Sequence, residues 1–280
     1  MAKEKVAILG GRGMLGSDLA KLCRRRHIQA EVFDLPECDI TNDKHLSEVL
    51  KNVHAVINCA AYTNVEKAET QTELAHQINA QAVGELGRIA ADNDIPVLHI
   101  STDFVFDGQA DHPYTETDIP NPVNEYGKSK LAGEKLLVES GCRNCIIRIE
   151  WTYGTSGNNF VTKLIERAQS SGKLNVVDDQ VGSPTATTEV ARAILGLLEK
   201  KTEGLFHFAS AGYVSRFEMA RFIFDQLEIP VDLKSCKTSD YVSAAKRPLN
   251  SRFDCSKIQA LFKDPIEPWQ GPLERFLRQL

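Results

Sequence analysis

The sequence has no excess of positive charge: 33 Lys and Arg stand against 38 Asp and Glu, a formal net charge of −5. Little is available to neutralise a phosphate backbone or an anionic lipid surface, which disfavours nucleic acid and membrane partners. Long apolar runs are missing, and Met1-Ala2-Lys3-Glu4-Lys5 leads straight into Val6-Ala7-Ile8-Leu9 with no small-residue cleavage site, so no export is expected. Cys142 and Cys145 form the one C-x-x-C, and no second close pair of Cys or His completes a tetrahedral zinc site. The seven cysteines are odd in number and scattered, as thiols are in a reducing compartment, so the expected location is cytoplasmic. Neither repeats nor low-complexity segments interrupt the 280 residues, and 42% hydrophobic with 25% charged residues suits a large buried core.

What is present is alternation. Apolar, β-branched runs at Val6 to Leu9, Glu31 to Phe33, Ala55 to Asn58, Val97 to Ile100 and Cys145 to Ile149 read as buried strands. Helical spacing lies between them: Leu15, Leu19 and Leu22, then Leu46, Val49 and Leu50, then a long amphipathic segment from about Glu66 to Asp92. Beyond Trp151 the pattern loosens. A helix is expected at Phe160 to Ser171, a turn-rich run at Asp178 to Pro184, a returning unit with a helix at Thr188 to Lys200 and a strand at Leu205 to Phe208, and a helix near Phe217 to Leu227.

Directly after the first strand comes Gly10-Gly11-Arg12-Gly13-Met14-Leu15-Gly16, a G-x-x-G-x-x-G that opens a helix. Glycine serves there for a tight turn, for backbone approach to a pyrophosphate and for close helix packing, with the helix N-terminus facing the anion. Gly10, Arg12, Gly13, Met14, Leu15 and Gly16 are therefore candidate cofactor contacts. Asp34 ends the second strand, where a carboxylate accepts from adenosine ribose hydroxyls and tilts the choice toward NAD. Arg12 pulls the other way, as a guanidinium able to meet a 2′-phosphate, or else is a solvated loop cation. Cys59, Ala60 and Ala61 follow the third strand and are small enough to pass beneath a dinucleotide. Either NAD(H) or NADP(H) fits, with NADH favoured.

Ser101-Thr102-Asp103 follows the fourth strand, and Tyr126 and Lys130 are four apart at the start of a helix, on one face. A free phenol has a pKa near about 10, and a neighbouring ammonium is expected to lower it. Thr102, Tyr126 and Lys130 are the candidate catalytic set. These stretches resemble the extended short-chain dehydrogenase/reductase superfamily, and within it the dTDP-4-dehydrorhamnose reductases. The resemblance runs from the glycine loop through Cys38-Asp39-Ile40-Thr41, Asn58 to Glu69, Ser101 to Gly108, Tyr126 to Glu134, Asp179 to Thr185 and Arg247 to Ser251.

The resemblance implies a Rossmann-type α/β fold, a doubly wound parallel sheet with a smaller, partly discontinuous C-terminal substrate-binding domain. Residues 1–154, rejoined by 183–214, would bind the dinucleotide, and 155–182 with 215–280 the substrate. It also implies that Asp39 and Ile40 flank the adenine. Thr63, Val65, Asp103 and Trp151 would lie along the sugar and nucleobase groove, with Gln180, Arg247 and Asn250 near the diphosphate or base. The implied partner is a nucleotide sugar; a homodimer is left open. Some members bind magnesium, but no matching acidic cluster is found here and no metal is expected.

One departure stands out: Glu150-Trp151 puts a carboxylate, where Ser or Thr is usual, at the expected entrance to the substrate half. The expected reaction is reduction of a 4-keto nucleotide sugar, Tyr126 protonating the carbonyl oxygen and Thr102 steadying it. The alternatives are an epimerase or dehydratase on the same scaffold and a non-catalytic NAD(P)-binding regulatory subunit. Elimination of water needs a further acid and base, and Phe104 follows Thr102-Asp103 where a dehydratase would place a second carboxylate.

Overall fold

The computed structural model describes residues 5–280. Strands β1 (Lys5–Leu9), β2 (Gln29–Phe33), β3 (Ala55–Asn58), β4 (Val97–Thr102) and β5 (Asn144–Ile149) join Gly204–Phe208 in a sheet of six. Every pairing within it is parallel, and Gly204–Phe208 lies on the outer side of β5. Between the strands run α1 (Met14–Arg25), α2 (Asp43–Leu50), α3 (Val65–Ala68), α4 (Thr72–His76), α5 (Ala82–Asp92) and α6 (Glu125–Glu139).

Strand side chains alternate between two buried faces. Ala7, Leu9, Val56 and Val97 pack against Leu46, Leu50, Val83 and Leu86 of α2 and α5. Val6, Ile8, Ile57 and Leu98 pack against Leu15 and Leu19 of α1 and against Val190 and Ile194 of α8 (Thr187–Glu199). Parallel strands covered on both faces need continuous apolar runs, which is the pattern the sequence carries. Each fully buried Leu or Ile contributes roughly 1.5–3 kcal/mol by leaving water. Because β1 lies between β2 and β3, the chain departs in opposite directions from neighbouring strand ends, and a crevice opens there.

Two local expectations change. Ser101 and Thr102 belong to β4 itself rather than following it. The amphipathic segment from Glu66 to Asp92 is not one helix: α3 and α4 are short, and a π-helical turn at Gln77–Gln81 precedes α5. The turn has a polar cause. The Asn79 amide accepts the Tyr62 N–H (2.8 Å) and donates to Tyr62 O and Ser129 Oγ (both 3.0 Å), which holds the helix against the loop after β3 and against α6.

A second core lies beyond β5. In it Val161, Leu164 and Ile165 of α7 (Phe160–Ser171) meet Met219 and Ile223 of α9 (Arg216–Leu227), with Leu273 and Phe276 of the helix Gln270–Leu277. Lys173–Val177 and Asp232–Cys236 pair in parallel beside them. Ile258, Leu261, Phe262 and Ile266, expected with the substrate portion, instead pack with the α1 and α8 face of the large sheet. Among the described residues no helix is long and apolar enough to cross a membrane.

Candidate active site

The chain leaves β1 through Gly10, where φ is +67° and a Cβ would lie 2.6 Å from the Ala60 nitrogen; a Cβ on Gly16 would lie 2.4 Å from Gly10 O. Glycine is thus required at both positions, for the left-handed turn on the β3 loop and for the entry of α1. Gly13 precedes α1 and supplies no side-chain cap, so the first-turn N–H groups, including those of Met14 and Leu15, have no side-chain acceptor. A bare helix N-terminus behind a glycine turn, floored by Cys59, Ala60 and Ala61, fits a dinucleotide pyrophosphate.

At the end of β2 the Asp34 carboxylate accepts the N–H groups of Arg12 and Leu35, both at 2.8 Å, and ties the glycine loop to the strand. Arg12 is exposed, as a loop cation would be, and it is also paired. Its guanidinium donates to Leu35 O (2.9 Å) and to both Glu37 carboxylate oxygens (2.8 and 2.9 Å), a planar fork meeting a planar acceptor. Asp39 accepts from the N–H and hydroxyl of Thr41 (2.9 and 2.8 Å), and Ile40 beside it is buried.

Thr102 sits at the carboxyl end of β4, its hydroxyl donating to Asp103 (3.0 Å) and accepting the Phe104 N–H (3.2 Å). Asn124 caps α6 by accepting the Gly127 N–H (2.8 Å), which starts the helix so that Tyr126 and Lys130 lie one turn apart. Enclosure pushes the Tyr126 phenol up to about 12, offset in part by its hydrogen bond with Thr102. The expected lowering of this phenol by Lys130 is therefore not found.

Lys130 is engaged elsewhere: Nζ donates to Ile100 O (2.7 Å) and lies 3.2 Å from His99 Nε2. Burial lowers it to about 8, against the upward pull of Glu134 and Cys59. Ala60 N–H donates to Asn58 Oδ1, which turns the Asn58 amide nitrogen toward His99 Nδ1 (3.2 Å). Nδ1 is thereby the acceptor, and Nε2 carries the proton of a neutral ring that burial holds well below its usual pKa. That Nε2–H finds an acceptor in Lys130 when Nζ is an amine. Sequence reasoning passed over His99, although one polar residue inside Val97-Leu98-His99-Ile100 was the available signal.

The groove residues differ in freedom. Thr63 is exposed and Val65 opens α3. Asp103 is buried and accepts from the hydroxyls of Thr102 and Ser251 (3.0 and 2.6 Å), and burial raises its pKa. Gln180 donates to Thr238 Oγ1 (3.1 Å). Arg247 pairs with Glu66 and donates to Ser243 Oγ. Asn250 donates to the carbonyls of Ala110 (2.9 Å) and His112 (2.8 Å), which makes it a staple between loops.

Glu150 is not a carboxylate at an entrance. It is 1% exposed, and its oxygens accept the N–H groups of Ser183 (2.8 Å) and Phe253 (3.3 Å). Burial first, and the charge of Asp103 second, push its pKa well above the ordinary carboxyl range. Trp151 follows with φ +44°, and the guanidinium carbon of Arg216 stands 3.5 Å from its ring centroid and 4.6 Å from that of Phe160. Nothing in the sequence joins Arg216 to Trp151. A Ser215…Glu218 capping box starts α9 at Arg216, one residue before the expected Phe217.

The comparisons follow this geometry. The model of the RmlD substrate binding domain matches residues 4–280. The dTDP-4-dehydrorhamnose reductase of Aggregatibacter actinomycetemcomitans is 36% identical, with 96% of this chain and 97% of that protein covered. That of Escherichia coli is 33% identical over 98% of this chain and 97% of its own. A dTDP-4-dehydrorhamnose reductase from Clostridium acetobutylicum superposes with a TM-score of 0.94 at 36% identity, covering 98% of this chain and 99% of that one. The Bacillus anthracis enzyme, in complex with NADP, superposes with a TM-score of 0.95 at 34% identity, covering 99% and 100%. With the match running from the strand before the glycine loop to the last helix, the chain belongs to the RmlD substrate-binding domain family.

Proposed function

We propose that this protein is an NAD(P)H-dependent reductase of a 4-keto nucleotide sugar, acting as dTDP-4-dehydrorhamnose reductases do. The observation that supports the reading most is Thr102 at the carboxyl end of β4, hydrogen-bonded to Tyr126, with Lys130 one turn along the same helix bonded to Ile100 O of that strand, in a sheet whose β1 ends in the glycine loop. Relatives of that name over nearly the full length support it. The dinucleotide supplies a hydride. Gly10 to Gly16 would hold its pyrophosphate, Asp34 and Asp39 its adenosine half, and Cys59 to Ala61 would lie beneath it.

Tyr126 acts as the proton donor. Its raised pKa keeps the phenol protonated at neutral pH, the state a reductase needs before the carbonyl oxygen gains charge. Thr102 orients that phenol, its hydroxyl turning from Asp103 to donate to the same oxygen once substrate is bound, and Lys130 holds the strand end through Ile100 O. Phe104 packs edge-on against Tyr126 at 5.6 Å between ring centroids, so an apolar ring stands where a dehydratase would need a further acid or base. Thr63, Val65, Asp103, Trp151 and Gln180 form the sugar and base groove of this reading, with Arg247 and Asn250 shaping its rim. Residues 1–154 with 183–214 serve the dinucleotide, and the remainder the substrate. Seven free thiols support a cytoplasmic location.

The test is stoichiometric: with 4-keto sugar nucleotides the protein should consume one reduced dinucleotide per product, and product formed with unconsumed NAD overturns the reading. NADH should serve at least as well as NADPH, because the Asp34 carboxylate at the end of β2 would meet a 2′-phosphate and Arg12 is paired with Glu37. Strong preference for NADPH that disappears in Arg12→Ala would reverse the roles given to these two residues.

A further inference from the structure

Arg216 opens α9 within the groove, its backbone N–H donating to Gln180 O (3.1 Å). Its guanidinium carbon stands over the rings of both Trp151 (3.5 Å to the centroid) and Phe160 (4.6 Å). Among the described residues, no hydrogen bond or ion pair engages the guanidinium. The two carboxylates around it are committed elsewhere: Asp103 to Thr102 and Ser251, Glu150 to the N–H groups of Ser183 and Phe253. A guanidinium carries five N–H donors in a rigid fork, and a half-buried fork with none of them matched to protein is poised for an acceptor from outside. Contact with the Trp151 and Phe160 rings holds the guanidinium in place in advance, so less ordering remains when that acceptor arrives.

We propose that Arg216, held over Trp151, is an oxyanion-binding residue of the substrate groove, taking two oxygens of a phosphate or carboxylate on the nucleotide sugar. The inference rests on the reading of the groove as a nucleotide-sugar site. The surroundings temper the two nearby carboxyls: burial raises the pKa of Glu150 well above the ordinary range and that of Asp103 above its own, and Arg247 adds a second positive charge nearby. Desolvation first, with a smaller push from Arg247, lowers Arg216 to about 9 against the upward pull of Asp103 and Glu150, so it is charged at neutral pH, and the arrival of an anion restores what desolvation removed. Two parts of a nucleotide sugar offer such oxygens, the diphosphate and an acidic substituent on the sugar ring.

The experiment is calorimetric binding of unreactive ligands to the full chain and to Arg216→Met, which keeps an apolar stem over Trp151. Four ligands separate the sources: thymidine, thymidine diphosphate, and the thymidine diphosphate esters of glucose and glucuronic acid. A charge-assisted bidentate contact predicts a loss of about tenfold to a hundredfold on substitution. If the diphosphate is the partner, the diphosphate and both esters weaken together while thymidine does not. If a sugar carboxylate is the partner, thymidine diphosphate is bound equally by both proteins, and only the wild type prefers the glucuronate ester over the glucose ester.

All dissociation constants agreeing within twofold between wild type and variant would overturn the proposal. Thermal melting of both proteins, with Arg216→Lys as a charge-retaining second variant, guards against a folding artefact: loss in Arg216→Met but partial recovery in Arg216→Lys supports the charge, and equal loss in both at lowered melting temperature counts against it. None of these ligands is reduced, so the result is readable even if the reductase reading fails its own turnover test.

Discussion

In the proposed mechanism one oxygen, that of Tyr126, would carry the proton-transfer step, and substitution by Phe removes it with little change in volume. The fold should survive, and the dissociation constant for reduced dinucleotide should change little, while kcat falls by about 10² to 10⁴. Near-normal turnover in Tyr126→Phe would place the proton donor elsewhere. Lys130 makes a separate, pH-based claim. Burial lowers it to about 8, so the free protein loses this charge as pH rises through that value, whereas the phenol near 12 stays protonated. The profile of kcat/KM, which reports the free enzyme, should therefore fall with a limb near pH 8. A profile flat to about pH 9.5 would mean that the ammonium form of Lys130 is not needed.

Helix α6 carries both residues, and its position depends on Gly133. A Cβ there would lie 2.0 Å from Asn79 O, in the π-helical turn that α6 presses against. Gly133→Ala should force the helix outward, at a cost of about 1–3 kcal/mol for overpacking, and carry Tyr126 and Lys130 out of register with Thr102. The measurable outcome is a melting temperature several degrees lower together with reduced kcat; unchanged values of both would show that the contact relaxes freely. Strands and most helices were legible because parallel strands buried on both faces write themselves as unbroken apolar runs, as Ala55-Val56-Ile57-Asn58 does. The break within residues 65–92 was not, because its cause is a single side chain, Asn79, bonded to residues 17 and 50 positions away. The glycine loop and the Tyr126/Lys130 pair were legible because their spacing is local. Arg216 on Trp151 and Lys130 on His99 were not, since each joins elements whose relative placement no local pattern encodes.

Across the whole molecule, the loops beyond β5 are tied to the sheet through the buried carboxyl of Glu150, which follows β5 and braces the chain at Ser183 and Phe253. Its pKa is raised well above the ordinary value of 4.5 in the folded chain, so the folded state retains a proton that the unfolded state releases. The sign follows from linkage: with more protons bound in the folded state, stability falls as pH rises from about 4.5 toward the raised folded value, by up to about 1.4 kcal/mol per pH unit for one such group. Asp103, raised from 3.8 by burial, adds a contribution of the same sign that begins lower. In Glu150→Gln the first contribution is absent. Its amide keeps one acceptor for Ser183 and turns an NH₂ toward the Phe253 N–H, so the variant should be less stable by about 1–3 kcal/mol near pH 5. Its stability should then decline less steeply than that of the wild type, and the gap should narrow or reverse by pH 7.5. Urea unfolding free energies of the two proteins at pH 5, 6 and 7.5 measure this directly. Parallel slopes would mean that Glu150 ionises in the folded protein as freely as in the unfolded one, and that the two loops are braced by an ordinary carboxylate.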